Sequence, residues 1–146
     1  MSLVLNGNAP AFSAYGNAGQ TIATATWTKV AFNTESFDTN SNYDTTLYRF
    51  TPTVAGYYEL NAGIGSGVAP ASGGLALAIY KNGSAAVYGT TSPLVVGPNL
   101  SMSGLLYLNG STDYVEVYMW QGSGSSGSYG AFSAAYQFSG FLARSA

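Results

Sequence analysis

Residues 56–64 read Gly-Tyr-Tyr-Glu-Leu-Asn-Ala-Gly-Ile, and the alternation in this stretch decides the fold class. Every second residue from Tyr58 to Ile64 is apolar, whereas the positions between them include Glu59 and Asn61. Side chains alternate across a β-strand, so this pattern predicts a strand with one face in a core. No stretch of the chain shows a sustained apolar period of 3.6 residues. We therefore predict an all-β fold.

Two Asn-Gly pairs, Asn82-Gly83 and Asn109-Gly110, lie between apolar alternating segments. Asn-Gly is the preferred pair for a type I′ turn, so each pair predicts a β-hairpin. The first would join strands 75–80 and 85–88, and the second would join strands 100–108 and 113–120. About ten short strands result, which predicts a sandwich of two antiparallel sheets. The other predicted strands are Phe12–Tyr15, Trp27–Asn33, Leu47–Thr51 and Gly130–Ala143.

The chain of 146 residues has the length of one domain with a single core. We predict one domain over 1–146, with an N-terminal arm at 1–10 and a mobile Gly- and Ser-rich loop at 121–130. Further loops are predicted at 17–20, 34–46, 65–74 and 90–99. The predicted core consists of Phe32, Phe50, Tyr58, Leu60, Leu77, Ile79, Leu106, Val115, Val117, Phe138 and Leu142.

Charged residues make up 7% of the chain, against roughly 25% in an ordinary soluble domain. A neutral surface gives little protection against self-association, which favours an oligomer. Four scattered basic residues cannot form the positive stripe that nucleic acid requires. The chain shows no bilayer-length apolar run, cationic amphipathic segment or signal peptide. We expect neither a nucleic-acid partner nor membrane insertion.

The chain contains no Cys and no His. This removes disulfides, thiolate metal sites, cysteine nucleophiles and the commonest general base. The glycines at 122, 124 and 127 match the spacing of a dinucleotide-binding loop, but they do not open a helix. We interpret them as part of a flexible loop, and we expect no cofactor, no metal and no catalytic residues.

The carboxylates are the remaining candidates for acid–base or metal chemistry. Glu35, Asp38 and Asp44 lie close together in sequence and could bind calcium through oxygen ligands. The favoured interpretation is that they are solvated turn residues, with Asp38 and Asp44 accepting hydrogen bonds from nearby backbone N–H groups. Asp113 and Glu116 would point to opposite faces of one strand, so they cannot form a catalytic pair.

One set of residues at fixed offsets resembles the signature of a known family, the globular head domain of complement component one, subcomponent q. The fold of that family is shared with the tumour necrosis factor superfamily. Leu60 and Ala62 depart from the signature, which has aromatic residues at those positions. The matching residues are Phe32, Asp38, Tyr43, Phe50, Gly56, Tyr57 and Tyr58.

The resemblance implies a tumour-necrosis-factor-like jelly roll of ten strands that assembles into tight trimers and acts as a binding head. The chain has no Gly-X-Y repeat, so a collagen-like stalk is absent or belongs to another chain. Without Cys, signal peptide and stalk, it looks most like the versions of this domain in bacteriophage virion proteins and bacterial surface proteins. We therefore expect a virion or extracellular location, with other virion or stalk proteins as possible partners.

Two surfaces are predicted on this basis. In the strands assigned to the inner sheet, the face opposite the core is largely uncharged, as a subunit contact would be. On the outer sheet, Tyr114, Tyr118 and Trp120 share one strand face and could bind a ligand, or loops could simply cover them. The predicted trimer contact consists of Tyr57, Glu59, Leu105, Tyr107, Gln137, Ser139 and Phe141.

We expect from the sequence a noncatalytic homotrimeric head that recognises a cell-surface glycan or protein, as part of a phage fibre, tail or capsid surface or another extracellular protein. One alternative is purely architectural, a protein that caps or decorates a particle. Another is a carbohydrate-active enzyme, which would need two carboxylates across a cleft, roughly 5 to 9.5 Å apart.

Overall fold

The computed structural model describes residues 9–65, 73–89, 92–93, 99–130 and 136–146. These residues form fourteen β-strands and no helix, and all the strand pairs are antiparallel, so the predicted fold class is confirmed. Several strands have only two or three residues, which explains the excess over ten. The strands are β1 (Ala11–Tyr15), β2 (Gln20–Ile22), β3 (Thr28–Lys29), β4 (Thr34–Asp38), β5 (Tyr43–Asp44), β6 (Arg49–Phe50), β7 (Gly56–Gly65), β8 (Gly74–Lys81), β9 (Ser84–Tyr88), β10 (Ser92–Pro93), β11 (Asn99–Leu108), β12 (Val115–Gln121), β13 (Gly127–Tyr129) and β14 (Gln137–Ser145).

Two sheets build the sandwich. The five-stranded sheet has the order β11-β7-β14-β1-β4. The seven-stranded sheet has the path β10-β8-β12-β6-β5, with β9 pairing to β8 and β3 pairing to β12. A small third sheet joins β13 to β2. Neighbouring strands in each large sheet are mostly distant in the chain, which is the jelly-roll arrangement.

The core lies between the two large sheets and is centred on aromatic rings. Phe12 stacks on Phe50 of the opposite sheet, with ring centroids 4.2 Å apart, and meets the edge of Phe138 at 4.9 Å. All the predicted core residues are buried except Leu106 and Leu142, which are half-buried and pack against the core cluster. Leu106 lies on the edge strand β11, and Leu142 precedes a register shift in β14, so each has fewer neighbours to cover it.

Only one of the two predicted hairpins forms. Strands β8 and β9 pair across Asn82-Gly83, whose φ angles of 52° and 79° suit a type I′ turn. The second hairpin prediction is wrong, because β11 pairs with β7 whereas β12 pairs with β8 in the other sheet. In the second connection the Asn109 side chain accepts hydrogen bonds from three following backbone N–H groups, at 2.9–3.0 Å. This loop carries the chain from one sheet to the other.

The prediction of a loop over 34–46 is also wrong, since the segment contains β4 and β5. Strand β4 lies at the edge of its sheet, and most of its side chains are exposed. Because neither face of this strand is buried, its sequence does not alternate between apolar and polar residues. The predicted strands 27–33 and 47–51 shrink to β3 and β6. The predicted last strand begins at Gln137, and residues 131–135 lie outside the described part of the chain.

The segment 121–130 has more regular structure than a loop tip. Gly127–Tyr129 form β13, and the buried Gln121 donates hydrogen bonds to the carbonyls of Ile22, at 3.1 Å, and Ser125, at 2.8 Å. The predicted loop is therefore limited to 122–126, and its mobility stays a prediction. Of the predicted N-terminal arm, residues 1–8 lie outside the described residues, as do most of the loops at 65–74 and 90–99. The single-domain assignment stays a prediction.

Candidate functional site

The outward face of the five-stranded sheet brings the aromatic and apolar members of the predicted trimer contact together. Leu105, Glu59 and Phe141 lie directly opposite one another on β11, β7 and β14. The next row contains Tyr107 and Tyr57, whose ring centroids are 5.5 Å apart. Leu105 is 56% exposed, Phe141 49%, Tyr57 45% and Tyr107 42%. This apolar patch is contiguous and about half exposed, and Lys81 lies beside it with its Nζ 5.8 Å from the centroid of the Tyr107 ring.

The second half of the same face is polar and uncharged. Gln137 and Ser139, the other predicted contact residues, lie on β14 beside Asn61 of β7 and Ser103 of β11. A hollow of about 540 Å³ runs over this half towards Tyr88, on the edge strand β9. The face therefore combines an apolar half with a half in which β7, β11 and β14 carry mainly hydroxyl and amide groups. Phe37 of the edge strand β4, which is 52% exposed, lies at the margin of this second half, opposite Ser13.

Glu59 is half-buried in the middle of the apolar patch. It forms no ion pair with any described residue. Arg144 is exposed on the same sheet, opposite Tyr57. A partly buried carboxylate needs a partner, so this position is open to a group from another molecule.

Four other charged residues form two ion pairs. Lys29 contacts Glu116 at 2.9 Å across the outward face of the seven-stranded sheet, and Lys81 contacts Asp113 at 2.8 Å. Lys81 also donates to the carbonyl of Tyr107, at 2.8 Å, and so ties the seven-stranded sheet to the five-stranded one. Hydrogen bonds from Lys81 and Asn82 lower the pKa of Asp113. The structure thus keeps Asp113 and Glu116 in separate ion pairs.

Tyr118 and Trp120 of β12 are half-buried, and so is Tyr114, which directly precedes this strand. Tyr118 stacks on Tyr80, with centroids 4.0 Å apart and planes inclined by 25°. The guanidinium of Arg49 covers Tyr114, at 4.7 Å from the ring centroid. Burial, followed by the charge of Glu116, raises the pKa of Tyr118. One face of each of these two tyrosine rings is therefore occupied within the chain.

Sequence patterns missed Trp27, which belongs to the same aromatic surface. Its ring centroid lies 6.2 Å from Tyr80 and 5.8 Å from Tyr88, and Tyr88 is 66% exposed. Trp27 precedes the two-residue strand β3, so no strand periodicity could place it on this face. These four rings, Trp27, Tyr80, Tyr88 and Tyr118, form one array across the outward face of the seven-stranded sheet.

Asp38 and Asp44, the last residues of β4 and β5, accept hydrogen bonds from nearby backbone N–H groups, as the sequence analysis expected. Asp38 accepts hydrogen bonds from the N–H groups of Asn40, at 3.1 Å, and Tyr43, with its two oxygens. Asp44 accepts from Thr46 and Leu47, both at 2.8 Å, and these bonds lower its pKa. Among the described residues, Glu35, Asp38 and Asp44 do not gather into a group that could hold a metal ion.

The sequence matches the C1q domain family over residues 11–143. The chain belongs to this family. A C1q domain is therefore the unit that presents both surfaces described above, and the resemblance in the sequence is confirmed. Helices long and apolar enough to cross a membrane do not occur within the described ranges.

Solved structures agree with the C1q assignment at the level of the fold. The globular domain of zebrafish complement 1qA protein is 22% identical, with a TM-score of 0.67 over 94% of this chain and 99% of that one. The vertex protein P5 of PRD1 is 14% identical, with a TM-score of 0.67 over 95% of this chain and 100% of that one. Murine APRIL is 8% identical, with a TM-score of 0.67 and coverages of 92% and 98%.

One relative comes from a virus. An uncharacterized protein of the Sputnik virophage, V7, is 34% identical over 85 residues, which are 58% of this chain and 36% of that protein. The matched region thus spans about a third of the virophage protein.

Proposed function

We propose that this C1q domain is a noncatalytic homotrimeric head, exposed on a virion or otherwise outside the cell, that recognises a cell-surface glycan or protein. The observation that carries the proposal is the half-exposed apolar patch of Tyr57, Leu105, Tyr107 and Phe141. Monomeric soluble proteins rarely leave such a patch in water. Packing against further copies around an axis would bury it, and the aromatic rings would interdigitate.

The charge distribution supports a homotrimer. Glu59 and Arg144 are unpaired among the described residues and lie on the same face, so two copies could offer each other opposite charges. Gln137 and Ser139 continue the contact into the polar half of the face. The family resemblance implies tight trimers. The small number of charged residues also favours self-association.

The location on a virion rests on the likenesses to viral proteins. One relative belongs to a virophage, and one protein of the same fold is a vertex protein. These likenesses favour a particle surface over a role inside a cell.

Recognition is proposed for the outward face of the seven-stranded sheet, which the trimer would leave open. Tyr114, Tyr118 and Trp120 remain the proposed contact residues. Each would contact the ligand with the part of its ring that no other residue of the chain covers. Trp27 and Tyr88 extend this surface. Exposed tyrosine and tryptophan rings can stack on sugars or anchor a protein.

A purely architectural role is the second candidate, because the vertex protein of PRD1 has the same fold. In that case the trimer would cap or decorate a particle and bind no host molecule. The ion pairs of Asp113 and Glu116 with lysines disfavour the third candidate, a glycoside-cleaving pair of carboxylates.

Light scattering of the purified protein over a wide range of salt concentrations tests the assembly. We expect a trimer at every salt concentration, because burial of apolar side chains is not screened by ions. A stable monomer, or a trimer that dissociates as salt rises, would overturn the proposed contact. A glycan array then separates the two roles: binding supports recognition, whereas no binding together with a fixed position in particles seen by electron microscopy supports the architectural role.

A further inference from the structure

A second hollow, of about 450 Å³, lies at the edge of the seven-stranded sheet where β5 and β6 pair. It is open to solvent and lined mainly by polar side chains. It is on the opposite side of the sandwich from the proposed trimer contact, so assembly would leave it open. The groups that matter for its chemistry belong to Ser41, Asp44, Thr45, Arg49 and Thr51.

Arg49 is held in place at this hollow. Its guanidinium lies over the ring of Tyr114, at 4.7 Å from the centroid, and it faces Asp44 in the register of β5 and β6. It forms no ion pair and donates no side-chain hydrogen bond to any residue that the structure describes. A guanidinium in this position presents several N–H donors in one plane, and these donors can bind a ligand.

Asp44 supplies the matching acceptor. One oxygen, Oδ1, accepts from the backbone N–H groups of Thr46 and Leu47, which orients the carboxylate. The other oxygen, Oδ2, accepts no hydrogen bond within the described ranges. The hollow therefore contains one oriented donor group and one oriented acceptor group on adjacent strands, and their charges cancel.

Hydroxyl groups complete the lining. The side chains of Ser41, Thr45 and Thr51 make no hydrogen bond with another described residue, so their donors and acceptors are available. Asn42 is different, because its amide donates to the carbonyl of Asn40, at 3.1 Å, and accepts from Thr53, at 3.3 Å. Asn42 thus stabilises the wall of the hollow, whereas the hydroxyl groups of Ser41, Thr45 and Thr51 are available to bind a ligand.

The backbone on both sides of the hollow is strained. Ser41 and Tyr48 each have a φ of 54°, in the left-handed region that residues other than glycine rarely occupy. Such strain costs stability and tends to collect where a fold positions groups for a ligand.

The geometry points to a saccharide site in this hollow that takes an uncharged sugar through a pair of neighbouring hydroxyl groups. A sugar hydroxyl can accept from Arg49 and donate to Asp44 at once, and the serine and threonine hydroxyls can satisfy the rest of the ring. A strongly anionic ligand would meet the carboxylate of Asp44, and a cationic one would meet Arg49. The inference rests on the proposed recognition of a cell-surface ligand, and it names the ligand class and the residues.

The test uses the protein labelled with ¹⁵N and titrated with free galactose, mannose and N-acetylglucosamine. Concentrations up to about 100 mM detect binding with a dissociation constant in the millimolar range. We expect one of these sugars to shift the backbone amide signals of residues 41–45, 49–51 and 53. Thr51→Val and Thr45→Val should each weaken that binding about tenfold, and Arg49→Met by about tenfold to a hundredfold.

Thr46→Val is the matched control, because Thr46 adjoins Thr45 but lies outside the hollow with an exposed side chain. It should bind like the unchanged protein. Sugar-induced shifts confined to residues around Tyr118, or no shifts with any of the three sugars, would overturn this site. The light-scattering result is independent of both outcomes, so failure here leaves the proposed trimer to be judged separately.

Discussion

The outward faces of the two sheets are both rich in aromatic residues, but the residues on the two faces differ in how far they pack on one another. On the seven-stranded sheet, Tyr80 and Tyr118 stack on each other at 4.0 Å, and Trp27 leans on Tyr80. On the five-stranded sheet, Tyr57 and Tyr107 contact each other at 5.5 Å, but Leu105 and Phe141 have no aromatic partner among the described residues and remain about half exposed. Aromatic content alone therefore does not mark a contact surface. The useful criterion is whether apolar side chains already have partners within their own chain.

The largest expected effect concerns the core that the two faces enclose. Phe50 and Phe138 come from opposite sheets, and both pack on Phe12. Replacing either with Ala should lower the free energy of unfolding by about 3–5 kcal/mol, because each leaves a cavity in a fully buried cluster. Urea denaturation at one fixed protein concentration measures it. Leu47→Ala, at a position that is 42% exposed and lies beside the seven-stranded sheet, should change stability by less than about 1 kcal/mol. A large effect from only one of the two core variants would mean that the sheets do not share the core equally.

The next effect tests the difference between the faces directly. Leu105→Glu would put a second carboxylate directly opposite Glu59 in an apolar contact. Burying this unpaired charge should raise the dissociation constant of the trimer at least about a hundredfold. Analytical ultracentrifugation measures the change. Leu47→Glu is the control, because Leu47 is similarly exposed but lies beside the seven-stranded sheet, and it should leave the trimer intact. If the two variants behave alike, the apolar patch is not the contact.

The smallest effect concerns the ion pair that links the sheets. The pKa of Asp113 is lowered in the folded protein, so its contribution to stability is present above the ordinary value of 3.8 and is lost as the pH falls through the lower folded pKa. Asp113→Asn should cost about 1–2 kcal/mol at pH 7 and flatten the loss of stability below pH 3.8. Melting temperatures recorded from pH 7 down to about pH 2.5 measure both changes.

Ser111→Ala is the control for this pH dependence, because Ser111 is exposed in the same connection as Asp113 and its side chain does not titrate. Its melting temperature should follow that of the unchanged protein over the whole range. An unaltered acid transition in Asp113→Asn would show that other carboxylates control acid unfolding.

Individual residues show which parts of the structure can be predicted from sequence patterns. Tyr58 and Leu60 are buried and Tyr57 is exposed, as alternation in β7 requires, because a strand places successive side chains on opposite faces. The Asn82-Gly83 turn also followed from local chemistry, since both residues take the positive φ that a type I′ turn needs. Asn109-Gly110 has the same local chemistry, yet it connects two sheets. Which strand pairs with which depends on contacts between distant parts of the chain, and a turn motif does not contain that information.

The sequence by itself determined the all-β class, most of the core and the family, because alternation, turn residues and signature offsets are local properties. It also selected the face that carries Tyr57, Leu105 and Phe141, since these residues oppose the core in their strands. Only the tertiary structure decided that Tyr118 is stacked on Tyr80, that Glu59 and Arg144 are not paired within the chain, and that Arg49 and Asp44 meet at one hollow. These arrangements join residues from different strands, and their distances follow from strand order, register and packing, which are set by the whole chain at once.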